Sequence, residues 1–156
     1  SVKAGASVTM NPGMYCIYGN NGFTGNGGSL SGSGVMIYMQ DGGFDLGGNS
    51  LIALAAEANS GVLVDPSDND WKGMLVYVDP SNSNPVKLTG NTGTTYTGTV
   101  FAASADCTIN GTGDNIGLLS TQIICNTVKI TGTAQVNIDY SQSQAYSLPP
   151  AIDLAR

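Results

Sequence analysis

The densest group of side chains able to do chemistry is the run Asp65-Pro66-Ser67-Asp68-Asn69-Asp70, with Trp71 directly after it. Calcium takes roughly six to eight oxygen ligands, and Asp65, Asp68 and Asp70 clustered in one loop supply that kind of donor. The spacing departs from the EF-hand loop, and no bidentate glutamate follows at the closing position. The competing reading is a solvated loop, because Asp and Asn favour turns. Trp71 carries two readings as well: an anchor for that loop, or a ring on which a sugar stacks.

Catalytic constellations are harder to assemble. The chain has no histidine, which removes the commonest general base and the commonest metal ligand together. Zinc sites, Ser-His-Asp triads and Cys-His dyads are excluded. Glycoside hydrolysis needs two carboxylates about 5–10 Å apart. Asp45, Asp106, Asp114 and Asp139 meet that need only if several chain segments align on one face. Lys87 and Lys129 recur at matching places in a repeat, which reads most simply as an exposed position that discourages edge pairing. The expectation is therefore a protein that is not an enzyme. A polysaccharide lyase or hydrolase is the alternative, resting on analogy of fold alone.

The three cysteines separate into a pair and a single residue. Cys107 and Cys125 stand 18 apart, three short of the repeat described next, so they fall on neighbouring coils near one corner. A disulfide between them closes a loop worth on the order of 3 kcal/mol. Cys16 lies too far away to join them. It is either a small buried apolar residue or a thiol for pairing between molecules.

The elements that must position these residues announce themselves as a repeat. Lys87-Leu88-Thr89-Gly90, Thr108-Ile109-Asn110-Gly111 and Lys129-Ile130-Thr131-Gly132 share one pattern, and their aliphatic residues fall at 88, 109 and 130. The period is 21 residues. Asp45-Leu46-Gly47-Gly48 lies 42 residues before Leu88, as two periods or as one carrying a loop of about 20 residues. Gly22-Phe23-Thr24-Gly25 falls 23 earlier still.

Short apolar runs lie between these marks, at Val35–Met39, Met74–Val78, Thr99–Ala102 and Gln122–Cys125. A further strand is expected at Leu51–Leu54. Gly, Asn, Ser and Thr separate the runs and make up about two-fifths of the 156 residues. Amphipathic helices, needed for a βαβ fold, are missing. The period and the short strands predict an all-β chain, a right-handed parallel β-helix with rungs of about 21 residues. Leu88, Ile109 and Ile130 should stack in one inward column, with glycines 90, 111 and 132 at a corner. Tyr38, Tyr77 and Phe101 end apolar runs and are expected to fill the core. About six or seven rungs would give a prism roughly 30 Å long.

The organisation expected is a single domain, 1–156. Its first strands fall at 8–18, a loop insertion at 56–73, and a tail or cap at 147–156. Only 10% of the chain is charged, against about a quarter in ordinary domains, and the net charge is −6. Five basic residues form no patch, which excludes nucleic acid and anionic membrane as partners. No apolar run approaches the roughly 18 residues that span a bilayer. Ser1–Met10 lacks the apolar core of a signal peptide. Either the chain is cytosolic or its targeting segment was removed, and few charges, abundant Ser, Thr, Asn and Gly, and three cysteines favour an exported protein.

Several short motifs resemble a known group. Val8-Thr9-Met10-Asn11-Pro12-Gly13-Met14-Tyr15-Cys16, Gly32-Ser33-Gly34-Val35-Met36-Ile37-Tyr38 and Gly73-Met74-Leu75-Val76-Tyr77 are similar to segments of the TadE/TadG-like proteins of tight-adherence (Flp) pilus systems. The rungs at Leu88 and Ile109 follow in the order seen there. The resemblance implies a β-helical extracellular region on a bacterial surface, with pilus components as partners. It carries over no catalytic residues. The membrane-anchoring helix with which members usually begin is absent from this sequence.

The expected function is then a non-enzymatic structural or adhesive protein, extracellular or on a cell surface, that self-associates or joins pilus components. The alternative is a carbohydrate-binding or carbohydrate-cleaving β-helix that uses Asp65, Asp68, Asp70 and Trp71, with calcium as its cofactor and polysaccharide as its partner.

Overall fold

The computed structural model describes residues 1–58, 71–90, 92–111, 116–132 and 136–138. These residues form an all-β parallel solenoid of about five turns with no helix. Three short parallel sheets make its faces. On the first face, β1 (Val2–Lys3) lies on the start of β4 (Phe23–Ser33), then the start of β6 (Phe44–Ala55), then β8 (Val86–Gly90). The ends of β9 (Thr95–Gly111) and β10 (Ile116–Gly132) follow. The second face stacks β2 (Ser7–Met10) on the later parts of β4 and β6, then the opening parts of β9 and β10, and then β11 (Val136–Ile138). The third stacks β3 (Gly13–Ile17), β5 (Val35–Met39) and β7 (Met74–Val78) beneath the middles of β9 and β10.

Rungs average about 22 residues rather than 21. The period of 21 belongs to the first face, where Leu88 pairs Ile109 and Ile109 pairs Ile130. The expected six or seven rungs are corrected to about five. The reason is that Asp45 pairs directly with Lys87, so the interval of 42 residues is one rung carrying an insertion. Part of that insertion lies between Ala55 and Met74, the strand ends on either side of it.

Alternation along each strand sends one side chain in and the next out. The inward ones align in columns: Phe23, Phe44, Val86, Cys107 and Val128 on the first face, and Tyr15, Ile37, Val76, Val100 and Ile123 on the third. Each Leu, Ile or Val fully removed from water in this way contributes about 1.5–3 kcal/mol. Tyr96 is also fully buried in the core, and its hydroxyl donates to the Thr89 carbonyl at 3.1 Å. Burial holds its ionisation well above the usual phenol value.

Tyr38, Tyr77 and Phe101 do not fill the core, contrary to expectation. They take the outward register between buried neighbours and remain half-buried. An apolar run in a strand tells nothing about which of its two faces the aromatic residue takes.

The corners need backbone that only glycine supplies. Gly42 has φ +73°, and a Cβ there would lie 2.4 Å from the Gly22 nitrogen on the rung below. Gly132 has φ +101°, with its Cβ position 2.2 Å from the Gly111 carbonyl oxygen. Gly132, one of the expected corner glycines, thus has positive φ. At the corner after β7 the buried Asn82 adds to the backbone bond from Asp79 to Met39. Its amide donates to the carbonyls of Gly42 (3.0 Å) and Met39 (3.4 Å) and its oxygen accepts from the Asn84 backbone nitrogen at 3.0 Å. That side chain ties one rung to the rung before it.

Gly19 also has positive φ, +90°, but a Cβ there meets nothing within 4 Å. Gly19→Ala is therefore expected to lose about 1 kcal/mol of stability, from backbone strain alone. Gly42→Ala is expected to lose at least about twice as much, because backbone atoms must also move. Urea denaturation of the two variants beside the parent checks the ratio.

Candidate functional site

The third face carries the most distinctive outward file. Cys16, Tyr38, Tyr77, Phe101 and Ile124 occupy equivalent places on successive rungs. Tyr38 and Tyr77 stack with ring centroids 5.9 Å apart and planes 24° apart; Tyr77 and Phe101 stack at 5.3 Å and 9°. Each such contact is worth about 0.5–1.5 kcal/mol beyond the area it buries. Because the rings face one another along the axis, their faces are covered and their edges point to solvent. This file is a stiffening stack rather than a row of platforms.

Trp71 closes the flank of that stack. A turn sets it, with the Met74 nitrogen donating to the Trp71 carbonyl at 2.9 Å. The neighbouring backbone is clamped by Gly73 donating to Glu57 at 2.7 Å and Thr99 donating to Gly73 at 2.6 Å. The indole packs edgewise on Tyr77, centroids 5.4 Å apart and planes at 68°, and is 37% exposed. It anchors the insertion's end and still offers surface. Beside it runs a groove of about 560 Å³, with Met14, Met36 and Met74 in its apolar part and Glu57 and Lys72 along with Trp71 in its wall. Thioethers next to an indole suit apolar, shape-tolerant contact.

The best-defined polar cluster surrounds Asp79. Tyr38 donates its hydroxyl to Asp79 Oδ2 at 2.7 Å, while the Ser81 hydroxyl (2.6 Å) and backbone nitrogen (2.9 Å) donate to Oδ1. Those Ser81 bonds, helped by Tyr38, hold the carboxyl below the usual carboxylate range. In return the hydrogen bond to Asp79, together with burial, pushes the Tyr38 phenol up to about 12. Three of the carboxylate's roughly four acceptor positions are taken by the scaffold.

Asp106 is held in the same manner, by the Thr127 hydroxyl at 2.6 Å and the Asn126 amide at 3.1 Å, and its carboxyl is likewise lowered. Asp45 accepts from Lys87 Nζ at 2.9 Å in an exposed pair, which contributes at most about 1 kcal/mol. That pair belongs to the outward file Thr24, Asp45, Lys87, Thr108 and Lys129, so the two lysines do share a face. Asp45 and Asp106 fall at different places along the first face. Asp114 and Asp139 lie outside the described residues.

The calcium candidates Asp65, Asp68 and Asp70 also lie outside the described residues. Among the described residues no three or more His, Cys, Asp or Glu side chains converge as metal ligands. Cys107 and Cys125 are disulfide-bonded, Cα atoms 6.0 Å apart, and join β9 to the bulge in β10 before Asn126. Cys16 is free and exposed, so it is not the small buried apolar residue of the first alternative. Its sulfur, close to the Tyr18 hydroxyl, raises that phenol's ionisation.

Sequence reasoning missed the Tyr38–Asp79 pair and the methionine-lined groove. Tyr38 and Asp79 are 41 residues apart, a spacing that becomes meaningful only once the insertion has been subtracted. The groove's parts come from three rungs, and no spacing rule collects them. Comparison with known proteins finds no matching family model, no matching curated protein and no matching solved structure.

The Tyr38–Asp79 bond sets a pH window. Its contribution is complete between the ordinary carboxylate value of 3.8 and the ordinary phenol value of 10.0. It falls away as pH drops below 3.8 towards the depressed Asp79 value, and as pH rises through about 12 where Tyr38 ionises. Absorbance titration of the phenols should show a tyrosine ionising near 12 that disappears in Tyr38→Phe and moves towards 10.0 in Asp79→Asn.

Proposed function

We propose that this chain is a non-enzymatic structural or adhesive protein of a bacterial cell surface, acting outside the cell through self-association or with pilus components. One observation carries the reading. The carboxylates of Asp45, Asp79 and Asp106 are each bound by side chains from a neighbouring rung, 42, 41 and 21 residues away. Groups that an enzyme would aim at a substrate here fasten one rung to another.

Two further features agree with it. A disulfide suits an oxidising compartment, as the extracellular setting requires. Exposed hydroxyl pairs, Ser7 with Ser29 and Thr9 with Ser31, place uncharged polar groups on the first two rungs of the second face. The TadE/TadG-like resemblance supplies the pilus-associated setting.

A second reading is favoured by the groove beside Trp71: binding of a polysaccharide, with calcium held by Asp65, Asp68 and Asp70. An exposed indole over an apolar floor suits the less polar face of a sugar ring. Trp71 is the chain's single tryptophan, so its emission reports on that groove alone.

Light scattering of the purified protein, with negative-stain microscopy, separates the two. The structural reading predicts rods or sheets much heavier than the 15.9 kDa chain, with Trp71 emission unchanged by acidic polysaccharide and calcium. A clean monomer whose Trp71 emission shifts saturably with polysaccharide overturns it in favour of the second reading.

A further inference from the structure

Indole and phenol are the side-chain rings that give up one electron most readily, and here they touch in sequence. Trp71 packs on Tyr77 with ring centroids 5.4 Å apart, and Tyr77 stacks on Tyr38 at 5.9 Å. An electron crosses ring contacts of this kind far faster than it crosses a comparable length of saturated chain. On its other side Tyr77 stacks on Phe101 at 5.3 Å, but a phenyl ring without a hydroxyl holds its electrons much more tightly. The easily oxidised part of the file therefore runs from the indole through Tyr77 to Tyr38.

The Tyr38 end is where an electron vacancy is stabilised. A phenol that loses an electron becomes a very strong acid and must release its hydroxyl proton. The Tyr38 hydroxyl already donates to Asp79 Oδ2 at 2.7 Å, so the base is in place. The Ser81 hydroxyl and backbone nitrogen bond the other oxygen, Oδ1, and fix the carboxylate with Oδ2 against the phenol. The same bonds keep Asp79 ionised at neutral pH, ready to accept.

We propose that Trp71, Tyr77 and Tyr38 form a path that carries a one-electron vacancy from the indole to the Tyr38 phenol, where Asp79 takes the proton. This role goes beyond the structural reading above and does not depend on it. The oxidant is an oxygen-centred radical or another one-electron acceptor that meets Trp71, whose indole is 37% exposed. It removes one electron from the indole. Tyr38 replaces that electron through Tyr77, and the Tyr38 hydroxyl proton moves to Asp79 Oδ2. The products are a reduced oxidant, an intact indole, a neutral Tyr38 phenoxyl radical and a protonated Asp79. A small thiolate in solution closes the cycle: it gives Tyr38 one electron, Asp79 returns the proton, and a thiyl radical departs. The chain's single tryptophan is thereby restored, and the oxidising equivalent leaves from a half-buried phenol.

Pulse radiolysis with the azide radical, which at neutral pH attacks indole first, tests the path. A Cys16→Ser background removes the free thiol as a competing donor. The indolyl radical should then decay at a rate independent of protein concentration, while a phenoxyl radical grows in at the same rate. Tyr77→Phe keeps a ring in the stack but removes the relay, and should slow that decay at least about tenfold. Asp79→Asn keeps a polar partner for Tyr38 but removes the base, and should slow the growth of the phenoxyl by a similar factor. Freeze-quenched electron paramagnetic resonance should show a hydrogen-bonded phenoxyl that is missing from Tyr38→Phe. Indolyl decay unchanged in Tyr77→Phe, or a phenoxyl signal that survives Tyr38→Phe, overturns the path. Decay that quickens with protein concentration overturns it too, since transfer then passes between molecules. An unchanged rate in Asp79→Asn overturns the assignment of the proton to Asp79.

Discussion

The structure depends on the parallel backbone ladder between rungs. Each rung contributes three short strands, and each strand's amides and carbonyls find partners only on the rungs above and below. A two- or five-residue strand such as β1 or β3 has no stability of its own. It persists because its partner, 23 or 22 residues away, lies in register. Once the ladder is in register, identical positions on successive rungs are forced about 4.8 Å apart, and everything else follows from what stands at those positions.

Inside, that constraint turns a weak sequence repeat into columns of Phe, Leu, Ile, Val and Cys. Outside, it makes files whose chemistry is set by contact along the axis: hydroxyl on hydroxyl, Asp45 on Lys87, ring on ring at Tyr38, Tyr77 and Phe101. The corners carry the cost of the arrangement. Rungs approach so closely at Gly22 and Gly42 that there is no room for a Cβ. At the corner after β7 a side chain, Asn82, reinforces the backbone contacts between rungs.

This geometry also sets the surroundings of the described carboxylates. Asp79 and Asp106 accept two or more hydrogen bonds from residues of their own turn or the adjoining rung, and their ionised forms are favoured by those bonds. Trp71 is fixed by contact with Tyr77 and by the clamped backbone at Gly73, so the insertion leaves the solenoid from a rigid base.

The sequence by itself determined the architecture. Aliphatic residues at 88, 109 and 130, each followed two residues later by glycine, specify a stacked parallel coil, because only a fixed rung length brings equal positions together. It also indicated which cysteines sit on adjoining coils, since 18 residues is nearly one rung. What only the tertiary structure decided depends on the insertion. The interval between Leu46 and Leu88 reads equally as two rungs or one, and pairing of Asp45 with Lys87 settles it as one. That choice brings Tyr38 to Asp79 and sets Trp71 against Tyr77. It also turns the aromatic file outward: an apolar run shows that a strand is half-buried, but which residues face inward is set by register with neighbouring rungs.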